Sequence, residues 1–204
     1  MQSLALGFRP LGFSTKSRER FRFNIQREAE NLAEDFEIQD GVVIPADKYW
    51  FTRYETEIET FSGRKLSGSL ALNWGDFYNG GRTTWAGEIV WRLNKHVSLS
   101  FDQQINRINL PGNKFHIRER GGRLDFALNP KLFGALFAQW NNEDEEMLLN
   151  FRVNWIPKPG ADFYLVINQA VDTAREKWLV SKTTFLTKLV WHFPLARRAE
   201  RVEK

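Results

Sequence analysis

Apolar and polar side chains alternate with period two along almost the whole chain, in runs of about ten residues cut by turn residues. Arg22 to Gln26, Leu66 to Trp74, Trp85 to Leu93, Val97 to Asp102, Arg123 to Leu128, Leu149 to Trp155 and Phe185 to Phe193 all follow it. Period two places successive side chains on opposite faces of an extended strand, and helical spacing is hard to find here. The pattern predicts about ten long strands, near residues 17–28, 49–61, 65–76, 83–93, 97–109, 115–128, 132–141, 146–156, 161–169 and 179–193. Residues 2–8 read as the tail of an earlier strand. No linker or low-complexity tract interrupts the pattern. Residues 1–193 therefore read as one β-barrel domain, with 1–16 a truncated strand and turn, and 194–204 as a basic tail.

The connections are of two alternating kinds. Ser62-Gly63-Arg64, Asn94-Lys95-His96, Asn129-Pro130-Lys131 and Pro157 to Gly160 are tight. Residues 29–48, Phe77 to Arg82, Asn109 to Lys114, Asn142 to Glu145 and Ala170 to Trp178 are longer and more polar. Antiparallel neighbours joined this way have short turns at one end and long loops at the other, the pattern of an outer-membrane barrel. The expected fold is all-β, an antiparallel up-and-down transmembrane β-barrel of about ten strands, the C-terminal part of a larger barrel.

The 204 residues suit one domain, and 29 Lys+Arg against 25 Asp+Glu is too even a mixture to argue for nucleic acid. The absence of cysteine excludes a disulfide scaffold and a cysteine-based zinc or redox site. No apolar run reaches the roughly 18 residues of a transmembrane helix. Met1 to Pro10 is too short and broken for a secretory h-region. An exported barrel needs a signal, so the chain is expected to be a fragment.

Alternation alone does not say which face is outside, because a soluble barrel around an apolar ligand alternates as well. Tryptophan placement favours a lipid-facing exterior. Trp50, Trp74, Trp85 and Trp140, with Trp178, fall at the loop ends of the expected strands, and Trp91, Trp155 and Trp191 at the turn ends. Rings at both rims read as interfacial girdles. Trp85 and Trp91 fit poorly, since six residues of tilted strand span roughly 15 Å of an apolar band nearer 25 Å. Leu70, Leu72, Ile89, Phe101, Phe126, Leu136, Phe151, Val153, Leu165 and Leu189 lie on the apolar parity and are expected to face lipid. The last strand places Leu189, Trp191 and Phe193 on one face and stops at an aromatic residue, which reads as a signal for barrel-insertion machinery.

The polar parity carries Arg20, Arg22, Glu55, Glu57, Glu59, Glu88, Arg92, Arg123, Asp125 and Arg152, the expected lumen charges. Glu55, Glu57 and Glu59 share a strand face and could serve acid/base chemistry on sugars. Cross-strand pairing with Arg20 and Arg22 near the tight turns explains them without catalysis. His96, His116 and His192 are scattered, and no metalloprotease, P-loop or nucleophile-elbow motif occurs. Asn141 to Glu146 is dense in oxygen ligands but lacks the spacing and glycine of a calcium loop, and reads as a solvated outer loop. No catalytic, metal or cofactor site is expected.

Asp35-Phe36-Glu37-Ile38 with Gly41 to Pro45, then Tyr49 to Tyr54, resembles the C-terminal barrel of the bacterial domain of unknown function 5916 family. Ser62 to Gly68, Asn109 to Gly112 and Trp155 to Phe163 carry the same likeness, which covers most of residues 10–193. The resemblance implies a membrane-embedded barrel. In that family the barrel typically follows a carbohydrate-binding family-9-like module, which would precede residue 1. The resulting expectation is a bacterial outer-membrane barrel with a pore, transport or surface-anchoring role. Its expected partners are outer-membrane lipid, the insertion machinery and a glycan bound through that module. Two alternatives stand beside it: a soluble barrel for an apolar ligand, and a component of a glycan-processing enzyme.

Overall fold

The computed structural model describes residues 2–174 and 178–192. In chain order the strands are β1 (Gln2–Ser14), β2 (Arg20–Asn31), β3 (Phe36–Gln39), β4 (Val42–Ile44), β5 (Lys48–Glu59), β6 (Leu66–Phe77) and β7 (Gly80–Arg92). They continue with β8 (Val97–Leu110), β9 (Asn113–Asn129), β10 (Leu132–Asn141), β11 (Glu146–Trp155), β12 (Ala161–Asp172) and β13 (Leu179–Trp191). Eleven of them form a single up-and-down sheet in the order β1-β2-β5-β6-β7-β8-β9-β10-β11-β12-β13, and every neighbouring pair is antiparallel. The other two, β3 and β4, pair only with each other.

Three sequence expectations need correction. Residues 2–8 are not a strand tail: β1 runs on to Ser14 and pairs along β2, through a bulge between Phe8 and Leu11. The sheet therefore has eleven strands, and β1 occupies the edge of β2 that a ten-stranded closure onto residues 179–193 would use. Strands β1 and β13 are the two free edges, and with eleven alternating strands they run in the same direction.

The second correction concerns loop length. Phe77 to Arg82 and Asn109 to Lys114 are mostly strand, because the backbone ladder continues through their polar residues to Phe77↔Gly80 and Leu110↔Asn113. What remains are the turns Tyr78-Asn79 and Pro111-Gly112. Proline presets the first corner of the latter, and Gly112 takes the second at φ +80°. The two ends of the sheet are thus less unequal than polarity alone suggests. "Loop end" below means the end that carries residues 32–47.

The third correction is that this long polar segment folds: it contains the β3–β4 hairpin. Val42 and Ile44 alternate with exposed Val43, and Ile44 is only 1% exposed. With Leu32 they form a cluster with Ile108 and Leu110 of β8. Ile38, Tyr49, Phe77, Tyr78, Phe115 and Ile117 pack around it. The hairpin thus lies against strand ends from β5 to β9. Tyr78 meets Tyr49, Phe51 and Phe77 edge-on, with ring centroids 5.1, 5.3 and 4.8 Å away.

The register sorts the eleven-stranded sheet into two faces. One carries Leu4, Leu6, Phe8, Phe21, Phe23, Ile25, Ile58, Leu70, Ile89, Phe101, Leu124, Leu136, Phe151, Leu165 and Leu189, linked by directly opposed pairs such as Ile58↔Leu70, Ile89↔Phe101 and Leu136↔Phe151. Among the described residues no second layer covers this face: Phe8, Leu70, Ile89, Phe101 and Leu189 are each half exposed or more. The other face is polar over most of its height and turns apolar only at the loop end, where the hairpin sits. Its loop-end residues Tyr49, Phe51, Phe77, Ile108, Leu110, Phe115 and Ile117 all have polar-face parity.

Ile44→Ala should weaken the hairpin's attachment by about 2–4 kcal/mol, read as faster amide exchange over residues 36–44 with the main ladder unchanged. Burial under the hairpin, and then the charge of Glu30, raise the Tyr78 phenol above its ordinary 10.0. The folded state therefore favours the neutral phenol. This contribution is complete below pH 10 and is lost as pH rises through the raised value. Alkali should release the hairpin together with tyrosinate absorbance at Tyr78, and Tyr78→Phe should remove the coupling.

Candidate functional site

The polar face gathers charges of both signs. All ten charges picked out in the sequence lie on it: Arg20, Arg22, Glu55, Glu57, Glu59, Glu88, Arg92, Arg123, Asp125 and Arg152. The β2–β5 register sets Arg20 opposite Glu59, Arg22 opposite Glu57 and Asn24 opposite Glu55. Arg22 reaches Glu57 at 2.6 Å and also bridges to Glu59, while Arg20 meets Glu59 at 3.0 Å. Glu55 accepts instead from the Asn24 amide at 2.9 Å, and Asn24 in turn accepts from Arg9 of β1 at 2.7 Å. The ladder of alternating charge thus crosses three strands near the tight turns. Each carboxylate of the triplet has a donor, which leaves none positioned as a free acid/base pair.

The ladder is anchored at its turn. Thr15 and Ser17 hydroxyls donate to the Glu19 carboxylate, and Arg64 of the neighbouring turn pairs with it. Those hydroxyl bonds, from Ser17 first, hold the Glu19 pKa down at about 2. Elsewhere on the face Arg123 grips Asp125 two residues along its own strand at 2.8 Å. Arg152 donates to Asn150 at 3.1 Å, and Arg92 to Ser67 at 3.3 Å. Glu88 stands opposite Asp102, a pair of exposed like charges with no cation bridged to either among the described residues. Opposed carboxylates destabilise a sheet unless water screens them.

The acidic run at Asn141 to Glu146 does structural work through its amides. Asn141 accepts from the backbone of Glu143 and Asp144 at 3.0 and 2.7 Å, closing the β10–β11 turn. Asn142 extends the ladder past β10 by pairing with Arg118 and His116 of β9. Glu143 and Asp144 face Glu37 and Asp40 of the hairpin across a 480 Å³ recess at the loop end.

The seven tryptophans Trp50, Trp74, Trp85, Trp91, Trp140, Trp155 and Trp191 all lie on the apolar face. Trp91, Trp155 and Trp191 are at or next to the last residue of their strands. Trp85 is a correction: it is the sixth of thirteen residues in β7, and Trp74 also lies inside its strand, because both strands extend toward the loop end beyond the expected limits. At their level and beyond, the same face becomes basic on β8 and β9. Phe193 and the tail 194–204 lie outside the described residues, so only Leu189 and Trp191 of the expected assembly signal are placed, side by side on the apolar parity.

No family model and no curated protein sequence matches this chain. Among solved structures, a NanC porin in a rhombohedral crystal form aligns over 94% of this chain and 99% of its own, with 9% sequence identity and a TM-score of 0.42. A likeness that distant says nothing about what this polar face does.

Arg22→Glu should destabilise the sheet by about 1–2 kcal/mol, because it places a third carboxylate beside Glu57 and Glu59 in a half-exposed site. Adding Glu57→Arg should recover most of the loss in denaturant unfolding, and the salt dependence of the two variants should differ in sign.

Proposed function

We propose that this chain forms the wall of a bacterial outer-membrane β-barrel whose polar face lines an aqueous passage. The observation that carries this reading is where the β3–β4 hairpin packs. A soluble barrel for an apolar ligand would keep its apolar face inside, and an inward-folded segment would touch that face. Here the hairpin seats on the opposite, polar face, which supports a polar interior with the uncovered apolar face turned outward. Three further features support it. The tryptophans lie on the outward face. The opposed Glu88 and Asp102 require water on the inward face. Other charges of that face, such as Arg20, Arg22 and Arg123, are matched by carboxylates, which suits a narrow wet lumen.

A membrane wall cannot leave strand edges open, since each unpaired backbone group in hydrocarbon costs several kcal/mol. Strands β1 and β13 run the same way, so joining them directly makes a parallel seam. An odd number of additional antiparallel strands closes the wall without one. We therefore read the sheet as part of a larger barrel. The hairpin and the acidic recess beside it would narrow the loop-end mouth, giving a gated or cation-favouring passage rather than an open one. Membership in the domain of unknown function 5916 family, and with it a glycan-binding module and a surface-anchoring role, is part of this proposal. Sequencing the coding region upstream of Met1 tests it.

The chain should float with phosphatidylcholine vesicles after dilution from detergent and stay with them in alkaline carbonate. Persistence in solution without detergent would favour the soluble alternative. Leu70→Arg, midway up the apolar face, should cost about 2–4 kcal/mol of stability in the vesicles. A substitution there that improves solubility and leaves folding intact would mean the outward face is misassigned.

A further inference from the structure

We propose that the apolar face carries, at its aromatic rim at the loop end, a binding site for the phosphate of an acidic lipid headgroup. The inference rests on the membrane reading above and adds a ligand to it. The β8–β9 register sets Arg107 opposite His116, Ile105 opposite Arg118 and Gln103 opposite Arg120, with Lys114 one pair further out opposite Asn109. All of these have the parity of Trp74, Trp85 and Trp140. Together they line a cavity of about 730 Å³ whose floor includes Trp74 and Ile105.

Of the five permanent cations lining this recess, four, Arg107, Lys114, Arg118 and Arg120, share the apolar-face parity with a histidine, while Arg82 stacks on Phe77 at 4.8 Å. No carboxylate lines it, and none of the four joins an ion pair among the described residues. Like charges on neighbouring positions of a sheet repel. They cannot relieve the repulsion through the sheet, because the residues alternating with them, Ile108, Phe115 and Ile117, are held in the hairpin cluster on the other face. The arrangement calls for an anion. On the polar face, by contrast, Arg20, Arg22 and Arg123 each have a carboxylate.

The surroundings say which anion. Directly toward the middle of the sheet the same face continues as Phe101, Leu124 and Leu136, a surface for acyl chains. The Arg120 guanidinium lies over the Trp140 ring, 5.4 Å from its centroid, and at the same rim Arg27 lies over Trp50 at 5.3 Å. Tryptophan marks the headgroup level of a bilayer, so cations stacked on these rings stand at the depth of lipid headgroups. A free phosphate in solution gains nothing from that apolar continuation. Guanidinium forks suit a phosphomonoester better than a diester, because it offers more oxygens and more charge.

The test uses the full chain in phosphatidylcholine vesicles containing a minor fraction of phosphatidic acid, with the lipid retained after mild detergent extraction identified by mass spectrometry. Wild type should retain phosphatidic acid enriched over the bulk mixture on the order of tenfold. Combined Arg107→Gln, Arg118→Gln and Arg120→Gln should bring retention down to the bulk ratio while the protein floats normally. The corresponding three lysine substitutions should keep most of the enrichment, and Lys95→Gln with Lys131→Gln at the opposite end should change nothing. Enrichment that survives the glutamine variant overturns the site. Inorganic phosphate that displaces phosphatidic acid at equal concentration assigns the recess to a soluble anion and overturns the lipid. Wild type that fails to float overturns the membrane reading, and this one with it, whereas floating with no enrichment removes only the lipid site.

Discussion

The rest of the structure depends on one continuous antiparallel ladder. Backbone N–H and C=O groups must pair wherever water is absent, and here each strand satisfies its neighbours over nine or more opposed residues in most pairs, as from Arg20↔Glu59 to Asn31↔Lys48. Once the pairing register is set, every side chain is assigned to a face, because a slip by one residue would exchange the two faces along the whole strand. The opposed pairs Ile58↔Leu70, Leu72↔Trp85 and Phe151↔Ile167 on one side, and Arg22↔Glu57 and Glu88↔Asp102 on the other, are consequences of the same register.

The ladder has ends, and the hairpin decides what those ends mean. Strands β6 to β9 project beyond the apolar band at the loop end, which would leave Phe77, Ile108, Leu110, Phe115 and Ile117 bare on the polar face. Residues 32–44 cover them, and the burial of Ile44 and Leu110 is the main dry packing in the molecule. Gly75 contributes to the opening at this end. Its φ of +138° bends β6, its Cα lies against the Thr52 carbonyl so closely that an added Cβ would come within 2.2 Å, and the β5–β6 ladder stops there. The Asp76 carboxylate takes over, accepting from the Thr52 amide at 2.8 Å.

Charge is partitioned in the same way as apolarity. On the polar face most cations have a partner within the sheet, so the face carries many charges at small electrostatic cost. On the apolar face charge gathers at the level of the loop-end tryptophans and beyond, and there it is basic apart from Asp76, which is held by the Thr52 amide. The two faces therefore differ in whether neutralisation comes from the chain itself or from outside it. That difference arises from register: β8 and β9 bring Arg107, Arg118 and Arg120 together because their polar-face neighbours are fixed in the hairpin cluster.

Much of this was legible in the sequence. Period-two alternation alone places Leu70, Ile89, Phe101 and Leu189 on one face and Arg22, Glu57, Arg123 and Arg152 on the other, since facing is a local property of extended backbone. The adjacency of Arg20 and Arg22 to Glu57 and Glu59 was also accessible, because one connection separates their strands and the hydrophobic pattern sets the register. Strand length was not, because polar residues such as those of Gly80 to Thr84 join a ladder whenever a partner strand supplies hydrogen bonds, and composition does not report that partner. The β3–β4 hairpin was hidden for a similar reason: Val42, Val43 and Ile44 are a short apolar run in a polar segment, and they become a structural element only against Ile108 and Leu110, more than sixty residues away in the chain. The basic recess is not legible in the sequence because Arg107 and Arg118 alternate like any solvated positions. Their concentration depends on two strands meeting at a particular register, and their lack of acidic partners depends on everything else that packs nearby. The chain by itself determined two faces and the strands that carry them; which face the hairpin covers, where the band ends and which charges stand unmatched were decided by long-range packing, because those properties belong to pairs of residues that only the folded sheet brings together.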